Sequence, residues 1–145
     1  MKTIKNILLM PLFFFGITSV FSQSVIGKWT TIDDDTNKAK SVVEIYQEND
    51  KIFGKVVEII DKTKEHKLCD LCEGTNKNQP ILGMVIMQDL EKDGDTWEGG
   101  TILDPDTGKV YKCYIALEGD NKLKVRGYIG FSLLGRTQYW NREIN

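Results

Sequence analysis

Apolar and polar residues alternate with a period of two in short runs, and clusters of Asp, Asn, Gly and Pro separate the runs. Val25-Ile26-Gly27-Lys28-Trp29-Thr30-Thr31 is the first run, ended by Asp33-Asp34-Asp35-Thr36-Asn37. Residues 41–47 follow, with Val43 and Ile45 on one face, and Glu48-Asn49-Asp50 turns the chain tightly into 51–60. Further runs cover 84–90, 96–103, 109–118, 122–129 and 136–142. Turn chemistry lies between them in Asp93-Gly94-Asp95, Asp104-Pro105-Asp106-Thr107-Gly108 and Gly119-Asp120-Asn121. Alternation at this spacing predicts about eight antiparallel strands in an all-β barrel or sandwich.

The same alternation assigns faces. Tyr111, Cys113, Ile115 and Leu117 share one side of their run, with Lys112, Tyr114 and Glu118 on the other. In the next run Leu123, Val125 and Ile129 oppose Lys124 and Arg126. Neighbouring strands with one apolar and one charged face form the wall of a closed up-and-down barrel. The last run sets Arg136, Gln138, Trp140 and Arg142 against Thr137, Tyr139 and Asn141, so polar groups accompany Trp140 on either choice of face. One connection, 61–82, is long for a compact domain and holds His66, Cys69, Cys72 and Pro80; such segments are binding loops, lids or partly ordered stretches.

The N-terminus changes the picture of where the chain works. Lys2 and Lys5 precede an apolar run, residues 7–17, and Val20-Phe21-Ser22 then leads to Gln23. A cationic start, an apolar stretch and small residues before a cleavage point make a secretory signal over 1–22, with a single domain over 23–145. The apolar run is short for a membrane span, and no later stretch is long enough for one. The expectation is an exported protein, periplasmic or extracellular, not inserted in a membrane after cleavage. The formal charge of −2 becomes more negative once Lys2 and Lys5 are removed, which argues against a nucleic-acid partner.

Gly27-Lys28-Trp29, before the first strand, resembles the Gly-x-Trp signature that opens lipocalin and other calycin barrels. Further blocks occur in order: Gln79-Pro80-Ile81-Leu82-Gly83-Met84, Gly100-Thr101-Ile102-Leu103-Asp104-Pro105, Gly108-Lys109-Val110-Tyr111, Leu123-Lys124-Val125-Arg126-Gly127-Tyr128 and Leu134-Gly135-Arg136-Thr137-Gln138-Tyr139-Trp140. Together they resemble the secreted bacterial family known as domain of unknown function 2147. The resemblance implies a calycin-like barrel outside the cytoplasm and no settled activity. It also implies that Trp29 closes the barrel floor beneath a basic side chain from a late strand, Arg136 or Arg142, gaining burial and cation–π attraction.

The chemistry-bearing residues point to no reaction. Cys69-Asp70-Leu71-Cys72 reads first as a disulfide stapling the long loop, given an oxidising destination. Pairing of either with Cys113 stays open. A redox centre is disfavoured because Asp70 and Glu73 raise thiol pKa, and a metal site of His66, Cys69 and Cys72 lacks a fourth ligand. Asp33-Asp34-Asp35 and Asp104-x-Asp106-x-Gly108 read as turns before cation sites. His66 reads as a solvated residue in a lysine-rich loop, with no nucleophile motif to serve.

These readings lead to a binder with no cofactor, no metal and no catalysis, holding a small apolar molecule inside the barrel. Its expected ligand-binding residues are Tyr111, Ile115, Val125, Arg136, Gln138 and Tyr139. Gly127, Gly130 and Gly135 mark either barrel closure or a pocket mouth rimmed by Phe131, Leu133 and Leu134. The rival readings are an envelope interaction module with a filled barrel, or a thiol-redox or metal-dependent protein using Cys69 and Cys72. The export argument makes a direct prediction: N-terminal sequencing of the exported form should begin near Gln23, and recovery of Met1 would overturn it.

Overall fold

In the computed structural model, which describes residues 23–144, the chain forms one closed antiparallel barrel of eight strands. The secretory signal expected over 1–22 lies outside the described residues. The strands are β1 (Gly27–Ile32), β2 (Ala39–Glu48), β3 (Lys51–Ile59), β4 (Val85–Asp93), β5 (Thr96–Asp104), β6 (Lys109–Leu117), β7 (Lys122–Tyr128) and β8 (Gly135–Arg142). Each pairs with the next in sequence, and β8 returns to β1. Among the described residues no helix is long and apolar enough to cross a membrane. The connection from β3 to β4 carries two short 3-10 turns, Lys62–Lys64 and Gly74–Asn76, where the alternation pattern alone indicates a loop.

Local chemistry explains the hairpins. Asn49 and Asp50 join β2 to β3 with φ of 49° and 64°, the backbone a two-residue turn needs to match strand twist, and Asn and Asp tolerate it. The ladders then run with side chains alternating inward and outward. Trp29 and Thr31 of β1, Val43 and Ile45 of β2, and Cys113 and Ile115 of β6 occupy the buried positions.

The two ends of the barrel differ. At the end where the chain enters, Trp29 is fully buried and its indole Nε1 donates to Val25 O at 2.8 Å. The Arg142 guanidinium lies over the ring, its Cζ 4.2 Å from the centroid. It also donates to Ser24 O (2.7 Å), Ile26 O (3.2 Å) and Asp120 O (2.9 Å). Of the two arginines that could cover Trp29, Arg142 does so; Arg136 stands at the opposite end of β8, paired with Asp34 at 3.1 Å. Ile45, Ile52, Leu90, Ile115 and Leu123 are fully buried in the same packed core.

Barrel closure and core meet within 23–144, so these residues contain a complete hydrogen-bonded cylinder with its own apolar interior. Trp29→Ala, which removes the largest floor side chain and leaves Arg142 without its ring, should cost about 3–5 kcal/mol. Urea denaturation checks this; an unchanged midpoint would show that the floor does not depend on the indole.

Candidate ligand-binding site

Above the packed floor the barrel is open, enclosing a cavity of about 690 Å³. β8, β1 and β2, adjacent in the sheet, give its wall a polar seam. Thr31 Oγ1 and Ser41 Oγ are 2.8 Å apart, both residues buried, and Ser41 N donates to Thr31 Oγ1 at 3.2 Å. On β8, Trp140 Nε1 donates to Gln138 Oε1 (3.0 Å), and Gln138 Nε2 donates to Asp34 Oδ2 (2.7 Å). The rest of the wall is mainly apolar, with Val56, Ile59, Ile86, Ile102, Tyr111 and Val125 from β3 through β7. No buried side-chain nitrogen or oxygen among the described residues lacks a hydrogen-bond partner. The seam therefore supplies its own hydrogen bonds, and an apolar molecule entering the cavity strands no polar group there.

The charged lining residues gather at the mouth. Asp106, in the turn between β5 and β6, accepts from Lys40 of β2 on one carboxylate oxygen and from Lys67 of the β3–β4 loop on the other, the latter at 2.7 Å. Burial pushes the Asp106 carboxyl up, but the two ammonium groups outweigh it and bring its pKa down to about 2. Burial likewise works against the charge on Lys40, and its contact with Asp106 reverses this and raises its pKa. One carboxylate thus ties strand, turn and loop together across the mouth.

The β3–β4 loop is a folded piece in its own right. Leu68 and Pro80 form an antiparallel bridge, Cys69 N donates to Gln79 O at 2.8 Å, and Ile81 N donates to Lys67 O at 3.0 Å. Cys69 and Cys72 are disulfide-bonded and buried, which fixes the pairing the spacing leaves open, and Cys113 is a free buried thiol in β6. Burial pushes the Cys113 pKa up to about 12, so at neutral pH it is a thiol rather than a thiolate. The oxidised Cys69 Sγ packs 3.2 Å from Pro105 O without a proton to donate. Gly108 makes the docking of loop on turn possible: its φ is +71°, and a side-chain carbon there would collide with the Leu71 carbonyl. With both loop sulfurs in the disulfide, His66 has no thiolates beside it to share a metal. Among the described residues no group of three His, Cys, Asp or Glu side chains could hold one.

Of the residues expected to bind ligand, Tyr111, Val125, Arg136 and Gln138 line the cavity. Two do not. Ile115 points inward but is fully buried in the packed half, and Tyr139 points outward, with Lys122 Nζ 5.7 Å from its ring centroid. Ile115 belongs to the packed core, and Tyr139, between the inward Gln138 and Trp140, is turned away by the strand's period of two. Thr31, Ser41, Trp140 and the Lys40–Asp106–Lys67 cluster escape sequence reasoning. Thr31 and Ser41 carry no signal of their own until the register pairs them. Of the residues 129–134, Ile129 and Leu134 line the cavity, while Phe131 and Leu133 do not.

Known proteins resemble the chain in two ways. A family of bacterial proteins, described as "Uncharacterized protein conserved in bacteria (DUF2147)", matches residues 27–142, from the first residue of β1 to the last of β8. The chain belongs to that family. A solved structure reported as "Protein HP1028 from the human pathogen Helicobacter pylori belongs to the lipocalin family" superposes with a TM-score of 0.76 and 23% sequence identity, covering 86% of each chain. At that identity the likeness is one of fold, and this DUF2147 protein is a lipocalin-like barrel. No curated protein matches it.

The mouth cluster predicts a pH signature. Because the folded pKa of Asp106 is depressed, its stabilising contribution is full above the ordinary carboxylate pKa of 3.8 and is lost as pH falls towards about 2. The protein should therefore be more stable than Asp106→Asn at neutral pH, and the margin should close between those two values. Denaturant midpoints measured across acid pH check this; a margin independent of pH would remove the ion cluster as its cause.

Proposed function

We propose that this DUF2147 protein is exported and binds a small, largely apolar molecule in the open half of its barrel, without turning it over. The observation that carries this reading is the half-filled interior. Packed side chains fill the floor, whereas about 690 Å³ remain open above it, within the range of small-molecule sites. The lining supports an apolar ligand, since Thr31, Ser41, Gln138 and Trp140 of its polar seam are bonded to protein groups and its charges stand at the mouth. A ligand with a polar end would place that end among Lys40, Lys67 and Arg136. Gly127 leaves room beside Tyr111 and Ile102, where a larger residue would encroach on the open space. Cys69 and Cys72 are buried in their disulfide and Cys113 is a buried thiol, so no sulfur faces an outside thiol, which supports a binder over a redox protein. The open interior likewise favours a ligand carrier over an interaction module with a filled barrel. Export rests on the order of residues 1–22 and fits a loop disulfide.

An apolar fluorescent probe tests the reading. It should bind saturably, and Val125→Trp, which fills the cavity from β7, should weaken binding by about tenfold or more while the far-ultraviolet circular dichroism is retained. A probe that binds the parent and Val125→Trp alike would place the site outside the barrel.

A further inference from the structure

The strand ends and loops around the open end present an unusual surface. Ile60, Leu68, Leu71 and Val110 are exposed there, together with the whole apolar set of the β7–β8 hairpin. In that hairpin Ile129 is 64% exposed, Phe131 59%, Leu133 82% and Leu134 62%. Away from that end the exposed large apolar residues among those described are Ile26, Tyr139 and Ile144. An apolar collar concentrated at one end of a barrel marks a surface that meets something apolar.

The hairpin is also held in a defined shape. Ile129 N donates to Leu134 O and Leu134 N to Phe131 O, both at 3.0 Å. Gly135 brings its backbone against Gly127, where a side-chain carbon would strike the Gly127 carbonyl. The outward carbonyls are taken by cations: Lys112 Nζ reaches Gly130 O at 3.3 Å, and the Arg126 guanidinium reaches Ser132 O at 2.7 Å and Leu133 O at 3.4 Å. Lys109 lies beside Val110 and Ile129 on the same side. The hairpin tip thus pairs uncharged apolar side chains with a cationic base. Of the carboxylates lining the mouth, Asp106 is taken up by Lys40 and Lys67, Asp34 by Arg136 and Gln138 and Asp61 by Lys64, while Asp33 and Asp104 accept from groups of their own turns.

We propose that the open end of the barrel docks peripherally on an anionic lipid bilayer, with Phe131, Leu133 and Leu134 entering the interface and Lys109, Lys112 and Arg126 against the headgroups. The charge pattern selects this occupant: apolar tips gain from the acyl boundary, and the cations beneath them gain from the negative surface. Ile129 and Leu134 also line the cavity, so docking turns its mouth towards the bilayer. Docking itself does not require an occupied cavity.

Co-sedimentation with vesicles tests it, using residues 23–145 so that the apolar run at 7–17 contributes nothing. Phosphatidylcholine vesicles containing phosphatidylglycerol should bind the protein, phosphatidylcholine alone should bind it more weakly, and added salt should reduce binding. Phe131→Ser combined with Leu133→Ser, neither of which lines the cavity, should weaken binding by about tenfold or more with the circular dichroism unchanged. Val125→Trp should bind vesicles like the parent, which separates this surface from the cavity reading. A parent that binds no vesicles overturns the proposal, and concentration-dependent dimerisation lost in the double variant would then assign the collar to a second copy. A double variant that binds as the parent does, or binding indifferent to lipid charge, also overturns it.

Discussion

The structure depends on the seam where β8 returns to β1. It is the shortest ladder in the sheet, with Trp29 opposite Arg142 and Thr30 opposite Asn141. An open sheet would leave unpaired strand edges, and a barrel removes them only if this last seam holds. Two residue pairs of backbone bonding are a thin closure, and the Arg142 side chain reinforces it. Its guanidinium covers the buried Trp29 ring and reaches carbonyls of the entering segment and of the β6–β7 turn at once. The closing group is thus a side chain as much as a ladder. It sits at the end of the barrel where the interior is fully packed.

That placement frees the other end. Because the seam is secured at the floor, the wall above can carry residues chosen for lining rather than for filling: Thr31 and Ser41 bonded to each other, Gln138 bonded to Trp140, and Gly127 where a larger side chain would narrow the space. The mouth is secured separately, by the Lys40–Asp106–Lys67 cluster and a loop with its own disulfide and bridge. Side chains that line the cavity mouth and side chains that close the barrel form two sets, separated along its axis.

How much of this was legible in the sequence follows from what a period of two can report. It located all eight strands, because each buries one face and leaves the other wet, and it placed Tyr111 and Val125 with the apolar face, while for the last run it left both faces open. It says nothing of height along the axis. Ile115 is inward like Tyr111 but four residues along β6, about 13 Å farther along the strand in the direction of the floor, and so falls in the packed half. Tyr139 drew attention as a polar aromatic near Trp140, yet its neighbours on both sides face inward and parity sends it out. Thr31 with Ser41, and Asp106 with Lys40 and Lys67, are pairings across the sheet or between a loop and a distant turn. No local pattern encodes them, because they exist only once the register and the loop path are set.

The same division bears on how such a barrel can change. A substitution at Trp29 or Arg142 acts on closure, and through it on every strand, since a barrel with a broken seam has two edges to protect. A substitution at Val125, Ile102 or Tyr111 acts on a wall that lines the cavity, and although Val125 and Ile102 also pack against the core, an enlarged side chain there has open space on one side and a shortened one widens a cavity that exists. The usual cost of a core substitution comes from a void that the surroundings cannot fill or from overpacking. Neither arises to the same degree beside about 690 Å³ of open volume. The part of the lining that faces the cavity is therefore cheaper to vary in stability than the floor, and the size and polarity of the open space can change without rebuilding the closure at Trp29 and Arg142.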